Sequence, residues 1–350
     1  MAEYALNLMP GVTPLSQSAY DLHVLILWIC FWIGMVVFGV IFYSVLAHRK
    51  SRGAVASQFH ESTTMEIIWT VIPFIILIGM AIPATKTLVA MEDVSNSDLN
   101  IKVTGYQWKW GYDYLGEEVG FLSSLSTPLA QVTGEEPKGE HYLLEVDNPL
   151  VVPINKKVRL SITASDVIHS WWVPELGGKK DAIPGYINEM WFKAEKEGTY
   201  RGQCAELCGK DHGFMPIVVV AKNEADYQQW LSAQKTANDA DAAAADREWS
   251  KSDLIARGET VYNSSCAACH QANGQGIPGA FPGLVGSALT TGPKNAHIDI
   301  VMNGKAGTAM APFAAQLKDI DIAAVITYER NAWGNDVGDM IQPSEIKAAR

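Results

Sequence analysis

Cys204-Ala205-Glu206-Leu207-Cys208-Gly209-Lys210-Asp211-His212-Gly213-Phe214-Met215 places two thiols, an imidazole and a thioether in one short loop. Residues 198–204 lead into it with the alternation of a strand. Soft thiolate, thioether and imidazole ligands together select copper, and a mononuclear blue-copper site uses one Cys, two His and a weak axial Met. This loop supplies one thiolate more than that. Two thiolates can bridge two copper ions, which then share one electron and lower the reorganisation that transfer requires. A second imidazole must come from elsewhere in the fold. His169, in Asp166-Val167-Ile168-His169-Ser170-Trp171-Trp172-Val173-Pro174, is the best placed, at the end of another predicted strand. Structural zinc is the competing occupant, because Cys204, Cys208, His169 and His212 would also make a tetrahedral set. Met215 and the strand-rich surroundings favour copper.

Residues 100–114, 141–148, 151–163, 187–194, 198–204 and 215–221 are short, alternating and β-branched, and Gly, Pro and Asn separate them. Strands at such spacing predict an all-β sandwich or barrel over 92–230. Within the first run Tyr106, Trp108, Trp110, Tyr112 and Tyr114 alternate with polar or small neighbours, which predicts five aromatics on one face of one strand. Before the sandwich, residues 22–47 contain no Asp, Glu, Lys or Arg, and at about 1.5 Å per residue they exceed a hydrocarbon core about 30 Å thick. Residues 67–85 are likewise uncharged, and the apolar run continues beyond Lys86 to Met91. Residues 1–91 are therefore expected to be a tail and a two-helix transmembrane hairpin. A secretory signal followed by one anchor is disfavoured, since residues 1–21 hold no Lys or Arg for a basic n-region. Arg49, Lys50 and Arg52 lie between the spans, which keeps that loop cytoplasmic and both termini outside.

After the sandwich, residues 231–250 become rich in Ala, Asp, Gln and Asn without an apolar stripe, which predicts a linker with some helical character. Residues 251–350 read as a small all-α domain. It carries Cys266-Ala267-Ala268-Cys269-His270, the attachment signature of c-type haem: two thiols form thioethers with the vinyl groups and the next imidazole binds iron. A redox dithiol or half a zinc site would not require that His. The opposite axial ligand is assigned to Met310, in the turn-rich Thr308-Ala309-Met310-Ala311-Pro312-Phe313, in preference to Met302, which sits in a helical run. Cys30, inside the first span, is read as an inert small hydrophobe. The net charge of -11, without a basic stripe, excludes nucleic acid and suits a basic protein partner.

Residues 10–222 resemble cytochrome c oxidase subunit II throughout, including His48-Arg49-Lys50, Glu66-Ile67-Ile68-Trp69-Thr70, Tyr106-Gln107-Trp108-Lys109-Trp110 and the whole loop from Cys204 to Met215. With its C-terminal cytochrome, similar to class I cytochromes c, the chain resembles the caa-type haem-copper oxidases. The resemblance implies a dinuclear CuA centre in a cupredoxin-like Greek-key domain. His169, Cys204, Cys208, His212 and Met215 match its side-chain ligands, and Glu206 matches the residue that offers a backbone carbonyl. The Glu206 carboxylate would also help bind a magnesium or manganese ion at the boundary with subunit I. Trp108 matches the residue through which electrons enter, and Glu66 the acid at the mouth of a proton channel. The implied assembly is a bacterial inner-membrane cytochrome c oxidase with subunits I and III. A cytochrome c or a bc complex would be the donor, haem a of subunit I the acceptor, and the copper and haem domains would lie in the periplasm. A CuA-containing nitric oxide reductase and a membrane-tethered copper-delivery protein are the alternatives; the Glu66 match disfavours the first, and the aromatic strand and fused haem disfavour the second.

Overall fold

The structure is a computed structural model and describes residues 7–55, 58 and 60–350. Helix α1 (Pro14–Ala47) and helix α2 (Thr63–Glu92) form an antiparallel pair whose most apolar windows are wholly unburied by protein, as lipid-facing helices require. Thr13 caps α1: its hydroxyl accepts the Ser16 N–H at 3.0 Å and donates to the Leu176 carbonyl at 3.0 Å, so the cap also ties the helix to the domain beyond. Pro73 and Pro83 lie inside α2, as membrane helices tolerate.

Ten strands follow: β1 (Leu99–Tyr106), β2 (Lys109–Tyr114), β3 (Val119–Ser123), β4 (Leu150–Pro153), β5 (Val158–Ala164), β6 (His169–Val173), β7 (Gly178–Ala182), β8 (Asn188–Phe192), β9 (Gly198–Cys204) and β10 (Pro216–Lys222). They make two five-stranded sheets, ordered β3-β2-β1-β5-β8 and β4-β10-β9-β6-β7. Parallel pairing of β1 with β5 and of β10 with β4 marks crossovers that hairpins alone cannot make. Alternation fills the space between the sheets with Ile101, Val103, Leu160, Ile162, Trp171, Ile217 and Val219, all fully buried.

Two expectations fail here. The five aromatics do not share one strand, because the chain reverses at Gln107–Trp108 and Tyr106 pairs with Lys109. Only Trp110, Tyr112 and Tyr114 point into the core; the Tyr106 ring lies over Gly111 on the other face, and Trp108 occupies the turn. Residues 141–148 are not a strand, and only Val146 makes a bridge, to Leu125. Between β3 and β4 the chain instead forms the short helix α3 (Leu129–Thr133) and turns, and Glu145 is used as an ion partner for Arg201.

Where a linker was expected, helix α4 (Glu224–Ala245) runs unbroken, capped by Asn223, whose side chain accepts the Asp226 N–H. Its alanines favour helix, and its first turns find a partner: Tyr227 and Leu231 are buried in the sandwich core and Trp230 packs on Tyr114 and Phe121. The remaining helices are α5 (Lys251–Ser265), α6 (Ala267–His270), α7 (Ala288–Thr291), α8 (Lys294–Asn303), α9 (Asp319–Asn331) and α10 (Pro343–Ala349). Helices α5 and α9 cross at Gly258, where a Cβ would lie 2.1 Å from the Ala324 carbonyl oxygen. The backbones approach that closely only because the residue is glycine.

Candidate metal and haem centres

Strand β9 ends at Cys204 and the chain loops back into β10, so the loop from 204 to 215 sits at one end of the sandwich beside the first residue of β6, His169. The ligand atoms of His169, Cys204 and Cys208 all lie within 4.8 Å of one another. The two sulfurs are 3.8 Å apart, His212 Nδ1 is 3.4 Å from Cys208 Sγ, and Met215 Sδ is 3.5 Å from the same sulfur. The Glu206 carbonyl oxygen is 3.3 Å from Cys204 Sγ, whereas the Glu206 side chain is exposed. Cys204, Cys208, Met215 and His169 are buried.

The electrostatics suit a cation. The hydrogen bond with Cys208 holds the Cys204 thiol well below the usual range, while the same neighbour and burial push the Cys208 thiol up. Two thiolates this close cannot both ionise in a buried site without a positive charge between them. His169 is set up in the same way. Its Nε2 is 2.8 Å from Asp166 Oδ1, which fixes the ring, and its buried Nδ1 has no hydrogen-bond partner. Burial pushes the imidazole down, but the bond to Asp166 and the nearby Cys204 sulfur outweigh it and leave the value raised. An orphaned ring nitrogen among two thiols is what a metal ligand presents before the metal is added.

Trp108 lies over this loop. Its Nε1–H donates to the Cys208 carbonyl at 3.1 Å, and Gln107 Nε2 donates to the same oxygen at 2.8 Å. Gly209, at φ +119°, leaves room for them, since a Cβ there would be 3.0 Å from the Trp108 ring. One Asp166 oxygen also accepts the Gln107 N–H at 2.8 Å, so a single carboxylate fixes both the imidazole and the aromatic hairpin. Asp166 was not singled out from the sequence; its signal is a carboxylate three residues ahead of a ligand His.

In the C-terminal unit, Cys266 ends α5 and His270 ends α6. His270 Nδ1 is 2.8 Å from the Pro282 carbonyl, which makes Nδ1 the donor and leaves Nε2 with its lone pair for iron. Met310 is half-buried in a loop held by Lys305 N–H to the Met310 carbonyl at 2.9 Å and by Phe313 N–H to the Val301 carbonyl at 3.0 Å. Met302 is buried in α8, packed in the helical core. Glu66 is exposed in the first turn of α2 and stands apart from both centres in the chain.

Residues 99–222 match the family described as cytochrome C oxidase subunit II, periplasmic domain, and residues 1–87 match its transmembrane domain. A probable cytochrome c oxidase subunit 2 of Rickettsia conorii is 40% identical over 236 residues, covering 67% of this chain and 73% of the relative. This chain belongs to the cytochrome c oxidase subunit II family. Another member, from Cereibacter sphaeroides, is 37% identical over 235 residues, covering 63% of this chain and 78% of the relative. The crystal structure of the periplasmic domain of subunit II of cytochrome oxidase of Bradyrhizobium japonicum is 44% identical, covers 41% of this chain and 97% of that chain, and has a TM-score of 0.37. Residues 253–328 match the family described as cytochrome C oxidase, cbb3-type, subunit III, so the subunit II is fused to a cytochrome c domain.

Membership makes the chain a component of an oxidase complex, with a cupredoxin-like β domain. It implies CuA at the His169–Cys204–Cys208 cluster and haem c at the Cys266–His270 loop, and the donor sets fit both groups. Two membrane-spanning helices before a periplasmic domain fit a bacterial inner-membrane protein.

Proposed function

We propose that this chain delivers electrons to a terminal oxidase, taking them from a cytochrome c or a bc complex through haem c and a dinuclear CuA to haem a of subunit I. Subunit I there reduces oxygen to water and pumps protons. The observation that carries the reading is the convergence of two thiols, an orphaned imidazole nitrogen, a second imidazole and a thioether, in a chain that also bears a haem-attachment loop. Bound copper would supply a one-electron centre with its charge spread over two ions. Cys204 and Cys208 would hold it through their sulfurs, His169 and His212 through ring nitrogens, and Met215 and the Glu206 carbonyl would be weaker donors. Asp166 orients His169, and burial by the β core keeps water from the sulfurs.

For haem c, Cys266 and Cys269 would attach the group covalently, and His270 and Met310 would bind its iron. Trp108, bonded to the Cys208 carbonyl, offers a through-bond path into the copper loop. The Glu206 carboxylate, exposed beside that loop, would share magnesium or manganese with subunit I. Glu66, at the start of α2, would take up protons at a channel mouth. Residues 1–91, 92–230, 231–250 and 251–350 are then hairpin, copper domain, connector and cytochrome. Both termini would be periplasmic, with Arg49, Lys50 and Arg52 cytoplasmic. Subunits I and III and the bilayer complete the surroundings.

The test is Trp108→Gln in the purified complex, with copper and haem contents measured on the same sample. With both unchanged, electron arrival at copper after rapid reduction of haem c should slow about tenfold or more, or about 1.4 kcal/mol in barrier. An unaltered rate would contradict the assigned route.

A further inference from the structure

Helix α9 is buried without interruption from Ile322 to Arg330, and it carries two charged side chains into that packing, Glu329 at 4% and Arg330 at 2% exposure. Arg330 is neutralised where it stands, by both Asp339 oxygens and by the Thr290 and Gly292 carbonyls. Glu329 is not. Its Oε2 meets Nε2 of the buried His297, on α8, at 2.8 Å, and the other ring nitrogen, Nδ1, is buried without a hydrogen-bond partner. A proton on Nδ1 would be a buried, unpaired donor, so Nε2–H is the donor and the charge of the pair is the carboxylate's. Packing alone does not call for such a pair, since apolar side chains of similar volume in place of a buried ionisable pair are often neutral or stabilising. What the carboxylate reaches is the haem-attachment loop. Burial pushes the Cys266 thiol, at the end of α5, well up, and Glu329 pushes it further, through its charge and by accepting a hydrogen bond from the sulfur. Tyr262, one turn earlier on α5, is raised by burial first and then by the same carboxylate.

We propose that the His297–Glu329 pair lowers the reduction potential of haem c, by holding a negative charge beside the Cys266 attachment point. Neither residue is assigned to the iron: His297 orients the carboxylate, and Glu329 supplies the charge. Oxidised haem carries one positive charge more than reduced haem, so a buried anion beside it favours the oxidised form. At an effective dielectric of about 20, unit charges about 10 Å apart attract enough to shift an equilibrium about tenfold. A lower potential makes haem c the stronger donor, which favours the step onward to copper. The inference rests on the reading that residues 266–270 carry haem c, and it adds what the surrounding packing does to that group.

A redox titration of the full-length holoprotein, followed by haem absorption, tests the pair. Glu329→Gln keeps the shape and a carbonyl to accept the His297 Nε2–H, and removes only the charge. At the ambient potential where the native haem is half reduced, its ratio of reduced to oxidised haem should rise about tenfold, an upward shift of about 59 mV for one electron. A ratio within about twofold of the native one, with the haem absorption retained, would overturn the inference. The double variant His297→Leu with Glu329→Leu removes the whole pair. It should show the same upward shift and lose its haem absorption on heating no earlier than the native protein. Earlier melting with an unshifted potential would make the pair purely structural and overturn the inference in the same way. Native protein without a c-type haem band would remove the haem reading itself, whereas haem present and unshifted in both variants removes this inference alone.

Discussion

Asp166→Asn isolates the support of the copper site from its ligands. The native carboxylate serves three donors, His169 Nε2–H at 2.8 Å and the Val167 N–H at 2.7 Å on one oxygen and the Gln107 N–H at 2.8 Å on the other. An amide of the same shape has one acceptor, so either the imidazole or the hairpin N–H must face an NH2 group. Removing the charge also lowers the basicity of His169 toward a metal. Partners of this kind are worth about 10–100-fold in metal affinity, or about 1.4–2.7 kcal/mol. The unsatisfied N–H adds a loss of about 1–3 kcal/mol in the stability of the β domain. The assay is a competitive copper titration against a chelator, with the copper hyperfine spectrum followed in the same samples and thermal unfolding of the β domain as the second readout. Wild-type affinity and an unchanged spectrum in Asp166→Asn would refute the account of how His169 is held.

Three further outcomes follow from the packing. Tyr114→Phe removes a buried hydroxyl that donates to the Val151 carbonyl at 2.7 Å and accepts its N–H at 3.0 Å, and should cost about 1–3 kcal/mol in denaturant unfolding of the β domain. Gly258→Ala drives a Cβ into the Ala324 carbonyl at the α5–α9 crossing and should cost the cytochrome domain about 1–3 kcal/mol, read as a lowered melting temperature of the haem absorption. Asp339→Asn weakens the clamp on the buried Arg330, which also donates to the Thr290 and Gly292 carbonyls, and should cost about 2 kcal/mol at neutral pH. Its pH dependence has a fixed sign. The Arg330 bonds hold the Asp339 carboxyl below the usual range, so its stabilisation is complete above about pH 4 and is lost as pH falls through the depressed native value. Acid titrations of wild type and Asp339→Asn should therefore converge at low pH.

The copper loop was legible because its ligand types are crowded into one short stretch, and the Cys266–His270 signature because the chemistry fixes its spacing. The membrane pair was legible because uncharged runs of that length have no other common use. The turn at Gln107–Trp108 was not. A two-residue turn inverts the parity of alternation, pairing Tyr106 with Lys109, so the aromatic period runs on in sequence from Tyr106 to Tyr114 while Tyr106 goes to the opposite face. Residues 141–148 show the converse, alternation without a neighbouring strand to pair with. Helix α4 read as a linker because its outer turns lack an apolar stripe; its order comes from Trp230 on Tyr114 and from ion pairs to both domains. Asp166 and Glu329 were silent for a related reason. Each matters through the neighbours that folding brings to it, His169 and Gln107 for the one, His297 for the other.

The proposed electron path needs two thiols to hold two coppers in a chain that also carries haem c. Metal analysis of the purified oxidised protein, with absorption and electron paramagnetic resonance spectra of the same sample, tests it most directly. About two coppers per chain, a hyperfine pattern from one electron shared over both, and a low-spin c-type haem band are predicted. One zinc per chain without a copper signal would contradict it and leave only the cytochrome standing.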